Sequence, residues 1–153
     1  MSAEAKLSEL NLKLPPAPKP AGVYKPCVIA GNMVYVSGHG PVQQDGSLIS
    51  GRVGSEVDQQ AGYDAARQTG LAILATLKTN LGSLDRVKRV VKTLGMVNCT
   101  PDFQQQPAVI NGFSDLMAEV FGQENGIGAR SAVGMGSLPG NITVEVEVIC
   151  EIE

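Results

Sequence analysis

One arginine and two glutamates carry the clearest chemical signal in this chain. Arg130 lies in Ala129-Arg130-Ser131-Ala132-Val133-Gly134-Met135, and Glu145 and Glu147 lie in Val144-Glu145-Val146-Glu147-Val148. The first run reads as a strand over 129–135. The second belongs to a strand over 142–152, reached across the turn Ser137-Leu138-Pro139-Gly140. A guanidinium is a planar, permanently charged fork that grips a carboxylate through two parallel hydrogen bonds. A carboxylate close to that fork can hold and orient a water molecule. Together they suggest a site for a small organic acid.

Other chemistries have less support. The three cysteines, Cys27, Cys99 and Cys150, are widely spaced and form no CxxC pair, and His39 is the only histidine. That leaves no set of zinc ligands and only one base for a thiol nucleophile. The simplest expectation is three buried free thiols in a reducing, cytoplasmic setting. The 153 residues carry a net charge of -3. That balance argues against a protein whose main task is gripping nucleic acid. The basic run Arg86, Lys88, Arg89 and Lys92 reads as a solvated face. No basic-then-apolar leader opens the sequence, and no apolar stretch approaches the ~20 residues that span a bilayer.

The elements that must position these residues are legible from periodicity. A short helix over 2–12 is capped by Ser2, and Pro15, Pro16, Pro18 and Pro20 then force an extended segment. That segment is expected to lie across the domain surface. Cys27–Ala30 and Met33–Ser37 form a hairpin about Gly31-Asn32. A long amphipathic helix runs from Ser55, with a Ser55/Asp58 capping box, to about Asn80 and stops at Gly82. A helical turn at 84–87 leads into a Val-rich strand to Cys99. A second helix from Pro107 to Phe121 follows, then a loop over 122–128. The last two strands close the chain as a second hairpin. Alternation sets Val144, Val146, Val148 and Cys150 against Glu145, Glu147 and Glu151. The valine face is expected to bury under the helices. The other face, with Ile149 among the acids, is expected to pack on another subunit. The fold class expected is α+β: one mixed sheet with two helices covering one face.

Three blocks in order resemble the YjgF/YER057c/UK114 family, also called the Rid (reactive intermediate imine deaminase) family and, under an older name, endoribonuclease L-PSP. Gly22-Val23-Tyr24 with Gly31-Asn32-Met33-Val34-Tyr35-Val36-Ser37-Gly38 is similar to the family's GPY…GN…SG start. The run from Leu84 to Lys92 is similar to its D-V-V-K strand entry. Ala129-Arg130-Ser131, Leu138-Pro139 and Val144-Glu145-Val146-Glu147 are similar to its ARS…LP…VEIE signature. The resemblance runs over 23–153, with 1–22 as an N-terminal helix and proline-rich extension. It implies a chorismate-mutase-like fold of the bacillus type and a homotrimer with sites between subunits. It also implies metal- and cofactor-free hydrolysis of 2-aminoacrylate-type enamines and imines to a 2-oxo acid and ammonia.

Carried over residue by residue, the resemblance makes Arg130 the binder of the substrate carboxylate and Glu145 the holder of the attacking water. It places Tyr24, Ser37, Gly38 and Asn111 around the substrate, with His39 beside them. The expected partner is a small carboxylate-bearing imine or 2-oxo acid, not a membrane or a nucleic acid. The chain departs from the family pattern at His39, where many members have Gln, and at Ala132, where many have Cys. Gly134 and Gly136 replace bulkier residues, a change expected to widen or loosen the pocket, and about three extra residues fall at Gln104–Gln106. Two other functions remain open on sequence: an endoribonuclease or translation inhibitor, and a non-catalytic module that binds a small metabolite.

Overall fold

The computed structural model describes all 153 residues, Met1–Glu153. Helix α1 (Ala3–Glu9) is capped by the Ser2 hydroxyl, which accepts from the Ala5 amide at 3.1 Å. It is shorter than the sequence suggests, ending before Asn11 enters the left-handed region at φ 53°. Ala3 and Leu7 are buried, and the Glu4 carboxylate bonds Lys78 Nζ at 2.8 Å and the Leu84 amide at 2.9 Å. The N-terminal helix is thereby tied to the body of the fold.

Strands β1 (Cys27–Ala30) and β2 (Met33–His39) pair as an antiparallel hairpin about Gly31, whose φ of 62° suits a residue with no side chain. Helix α2 (Gln59–Leu81) starts four residues later than the Ser55 reading. Asp58, not Ser55, caps it by accepting from the Ala61 amide at 2.8 Å. Residues 51–57 are held instead in a tight loop with Gly51 and Gly54 at positive φ. Gly82 ends α2 in the left-handed conformation, as its place in the sequence indicates. A 3-10 turn (Leu84–Arg86) enters β3 (Val87–Asn98), followed by α3 (Gln106–Phe121). A single-turn α4 (Gln123–Gly126) occupies the segment read as a loop. Strands β4 (Ala129–Met135) and β5 (Val144–Ile152) complete the chain.

The sheet order is β1-β2-β5-β3-β4, with only β3 and β4 parallel. The expected terminal hairpin does not form, because β3 lies between β4 and β5. The eight residues joining β4 to β5 can span roughly 26 Å when extended, ample to cross two strand spacings of about 5 Å each. In the central position β5 gains two ladder partners, and its valine row lies under the helices. Val144 and Val146 are wholly buried and Val148 and Cys150 nearly so. Facing them are Ile73, Leu74 and Leu77 of α2 and Val109, Ile110, Phe113 and Leu116 of α3. The two helices meet closely at Gly112, where any side chain would collide with the Tyr63 carbonyl. One sheet face is thus the core, and the other carries Tyr35, Glu145, Glu147 and Ile149 outward.

Candidate active site

Glu145 opens β5 on the uncovered face of the sheet. Its carboxylate lies directly over Gly38, so closely that a Cβ at that position would overlap Glu145 Oε2 and come within 2.9 Å of its Cδ. Gly38 is required here by close approach, not by backbone twist. The pair sits in a cleft of about 590 Å3 whose walls include Tyr24, Ser37, Glu147, Pro139 and the segment Pro18–Gly22. Partial burial pushes the Glu145 carboxyl above its ordinary value, and the charge on Glu147 adds to the rise. A carboxyl raised in this way can exchange protons closer to neutrality than a free one.

Ser37 donates its hydroxyl to the Lys25 carbonyl at 2.5 Å, and its amide bonds the Pro26 carbonyl at 2.9 Å. The hydroxyl oxygen is thereby held with lone pairs available to a ligand. Tyr24 is half exposed on the same wall, and its phenol oxygen accepts from the Ala21 amide at 3.1 Å. Simple alternation would put His39 on the open face with Tyr35 and Ser37. A bulge between Val36 and His39 inserts one extra residue and turns the imidazole under the sheet. His39 is only 5% exposed; its Nδ1–H donates to the Ser37 carbonyl at 2.6 Å, and Nε2 accepts from the Thr76 hydroxyl at 2.7 Å. The carbonyl has no proton to give, which fixes that tautomer. Burial lowers the His39 pKa, opposed by the bond to Ser37. The imidazole therefore braces the bulge that shapes the cleft, with its ring turned toward Thr76 of α2 at the cleft's inner wall.

Arg130 and Asn111 form a second group. Arg130 points toward α3 at the β4 edge, where Nη1 donates to Asn111 Oδ1 at 2.8 Å and to Ser114 Oγ at 3.2 Å. These acceptors are neutral, and Arg130 has no carboxylate partner within the chain. Its fork is oriented with its full charge uncompensated. Within one chain this group is not joined to the Glu145 cleft: Arg130 is turned to the helix-covered face, and Glu145 stands two strands away on the open one. The space over Gly134 is not an enlarged pocket, because Gln106 Nε2 and Cys99 Sγ would stand 2.8 and 2.9 Å from a side chain there.

Two contributors are absent from the sequence reading. Ser114 has a usable signal, since it stands three residues from Asn111 and so shares its helix face. The wall at Pro18–Gly22 has no local signal, because only folding brings the proline-rich segment beside β2.

The architecture, a five-stranded mixed sheet backed on one face by two helices, is an α+β fold of the chorismate-mutase-like kind. The model of the family described as "YjgF/chorismate_mutase-like, putative endoribonuclease" matches residues 4–152, and the chain belongs to that YjgF/Rid family. Protein TCP17 of Trypanosoma cruzi is 42% identical over 97% of this chain and 92% of its own. The 2-iminobutanoate/2-iminopropanoate deaminase of Dermatophagoides farinae is 29% identical over 93% and 95%. Among solved structures, Atu1372 of Agrobacterium tumefaciens, a protein described as of unknown function, superposes with a TM-score of 0.88 at 42% identity, covering 98% of this chain and 91% of that one. No helix is long and apolar enough to cross a membrane.

Proposed function

We propose that this protein is a cytoplasmic hydrolytic deaminase that converts 2-aminoacrylate-type enamines and imines to a 2-oxo acid and ammonia. The observation that carries the reading is the Glu145 carboxylate, raised in pKa and laid over Gly38 in an open cleft. The uncompensated Arg130 fork supplies the matching anion binder, and the similarity to a 2-iminobutanoate/2-iminopropanoate deaminase supports the chemistry. Both groups come together when the open sheet face of one subunit meets the β4 edge of another. The proposed assembly is a homotrimer, with Arg130 and Asn111 from one copy and Glu145, Ser37, Gly38 and Tyr24 from its neighbour. Exposed Val28 and Tyr35, paired across the β1–β2 hairpin, provide apolar surface for such packing.

Protonation of the imine nitrogen makes its carbon electrophilic. Arg130 holds the substrate carboxylate and fixes the plane of the C=N bond. Glu145 orients the water and accepts its proton as the C–O bond forms. The proton then passes to nitrogen, the C–N bond breaks, and ammonia leaves with the carbonyl formed. Imine plus water thus balances 2-oxo acid plus ammonia. No redox partner takes part.

The test is 2-oxo acid release from freshly generated 2-aminoacrylate. The parent protein accelerates release, and Arg130→Ala loses about 10²-fold or more while remaining folded. Turnover unchanged in Arg130→Ala defeats the assignment. RNA cleavage that depends on Arg130 and Glu145, without imine hydrolysis, establishes the endoribonuclease reading instead.

A further inference from the structure

The cleft extends well beyond the acid. A volume of about 590 Å3 lies within the range that accommodates ligands far larger than a three-carbon acid. Its chemistry changes along its length. At one end Glu145 covers Gly38. Two residues further along the chain, Gly40 is covered by hydrocarbon: a Cβ there would stand 3.0 Å from Ile142 Cδ1 and 3.2 Å from Leu48 Cδ2.

Leu48 is the informative residue. It is 47% exposed, yet its backbone is not loose. It bridges Val42 in an antiparallel pair, and the Gln43 amide and Ser47 carbonyl close the turn at 2.8 Å. Ser50 bridges Ile142, whose side chain is buried beside it. The fold therefore holds an uncovered leucine rigidly on the cleft wall, against Ile142 and next to the reactive end. Leu48 and the Glu145–Gly38 pair line the same cleft, so the acid and the apolar wall face one ligand space.

We propose that the cleft selects imines bearing a branched aliphatic or aromatic side chain, seated against the exposed face of Leu48, in preference to three- and four-carbon imines. This rests on the deaminase reading and names its substrate class. A large apolar side chain covers the exposed face of Leu48 and releases its water. A methyl group leaves that end of the cleft wet.

The test compares kcat/KM for imines generated by an amino-acid oxidase from leucine, phenylalanine and alanine, and measures binding of the product analogues 4-methyl-2-oxopentanoate and pyruvate by calorimetry. The leucine imine is favoured over the alanine imine by about tenfold or more, and 4-methyl-2-oxopentanoate binds correspondingly tighter. Leu48→Asn brings both ratios close to one. Equal or inverted preference with active protein overturns the substrate class and leaves the deaminase reading intact. A preference for the aspartate imine also overturns it, and transfers selectivity to Lys19, the only cation on the cleft wall. If no imine is turned over, the deaminase reading fails; Leu48-dependent preference for 4-methyl-2-oxopentanoate then still supports the apolar subsite, and its absence refutes it.

Discussion

Replacing Gly38 by alanine adds one methyl group at the most constrained point of the cleft. The new Cβ overlaps Glu145 Oε2 and lies 2.9 Å from Cδ and 3.2 Å from Cγ, where ordinary contacts begin near 3.4 Å. The glutamate must recede, with its oxygen moving by about 1 Å. Gly38 is not among the glycines at positive φ, so the backbone accepts alanine. The obstruction is the far end of a flexible side chain, and an off-rotamer adjustment costs about 0.5–1.5 kcal/mol. In a chain of this size that corresponds to a fall in Tm of roughly 2–6 °C. The chemical cost is much larger, because a displacement of about 1 Å in a positioned group costs about 10²-fold in rate. Thermal unfolding and 2-oxo acid release measured on the same preparation separate the two effects. The double variant Gly38→Ala, Glu145→Gln should lose little beyond Glu145→Gln alone, since both changes remove the same function. A folded Gly38→Ala protein retaining activity within threefold of the parent refutes the role given to the contact.

A composite site predicts complementation: Arg130→Ala and Glu145→Gln proteins, each inactive, regain about one quarter of parent activity when unfolded and refolded together at random, and no recovery in mixed trimers rules out sharing between subunits. Burial and then the Glu147 charge raise the Glu145 pKa, so Glu147→Gln shifts the limb of the pH–rate profile set by Glu145 toward acid; a limb that stays in place removes Glu147 from the site's electrostatics. His39 titrates below its ordinary 6.5 in the folded chain because it is buried. Between the folded and unfolded values the unfolded chain binds more protons, so stability rises with pH through that window and is lost again on acidification. Denaturant titrations across the window should show this slope in the parent and a flatter one in His39→Gln, and identical slopes contradict the buried, neutral assignment.

Much of the fold was legible because its signals are local. The strand Ala129–Met135, the Gly82 stop and the burial of Val144, Val146, Val148 and Cys150 follow from dihedral preference and side-chain alternation within a few residues. The start of α2 was misplaced because Ser55 and Asp58 both offer a capping oxygen, and only the loop packed at Gly51 and Gly54 decides between them. The inward turn of His39 is hidden from the sequence for a comparable reason. A bulge is an extra residue in a pairing, and a pairing partner 107 positions away leaves no mark on the strand itself.

The family, the α+β class, the residue types able to bind an anion and manage a proton, and the face on which Glu145 stands can all be read along the chain. Each depends on identity and spacing along the chain. Tertiary structure alone decided that β5 is inserted between β2 and β3, that the proline segment walls the cleft, and that Arg130 and Glu145 stand apart within one chain. Those outcomes depend on which distant surfaces bury each other, and burial is a property of the assembled layers.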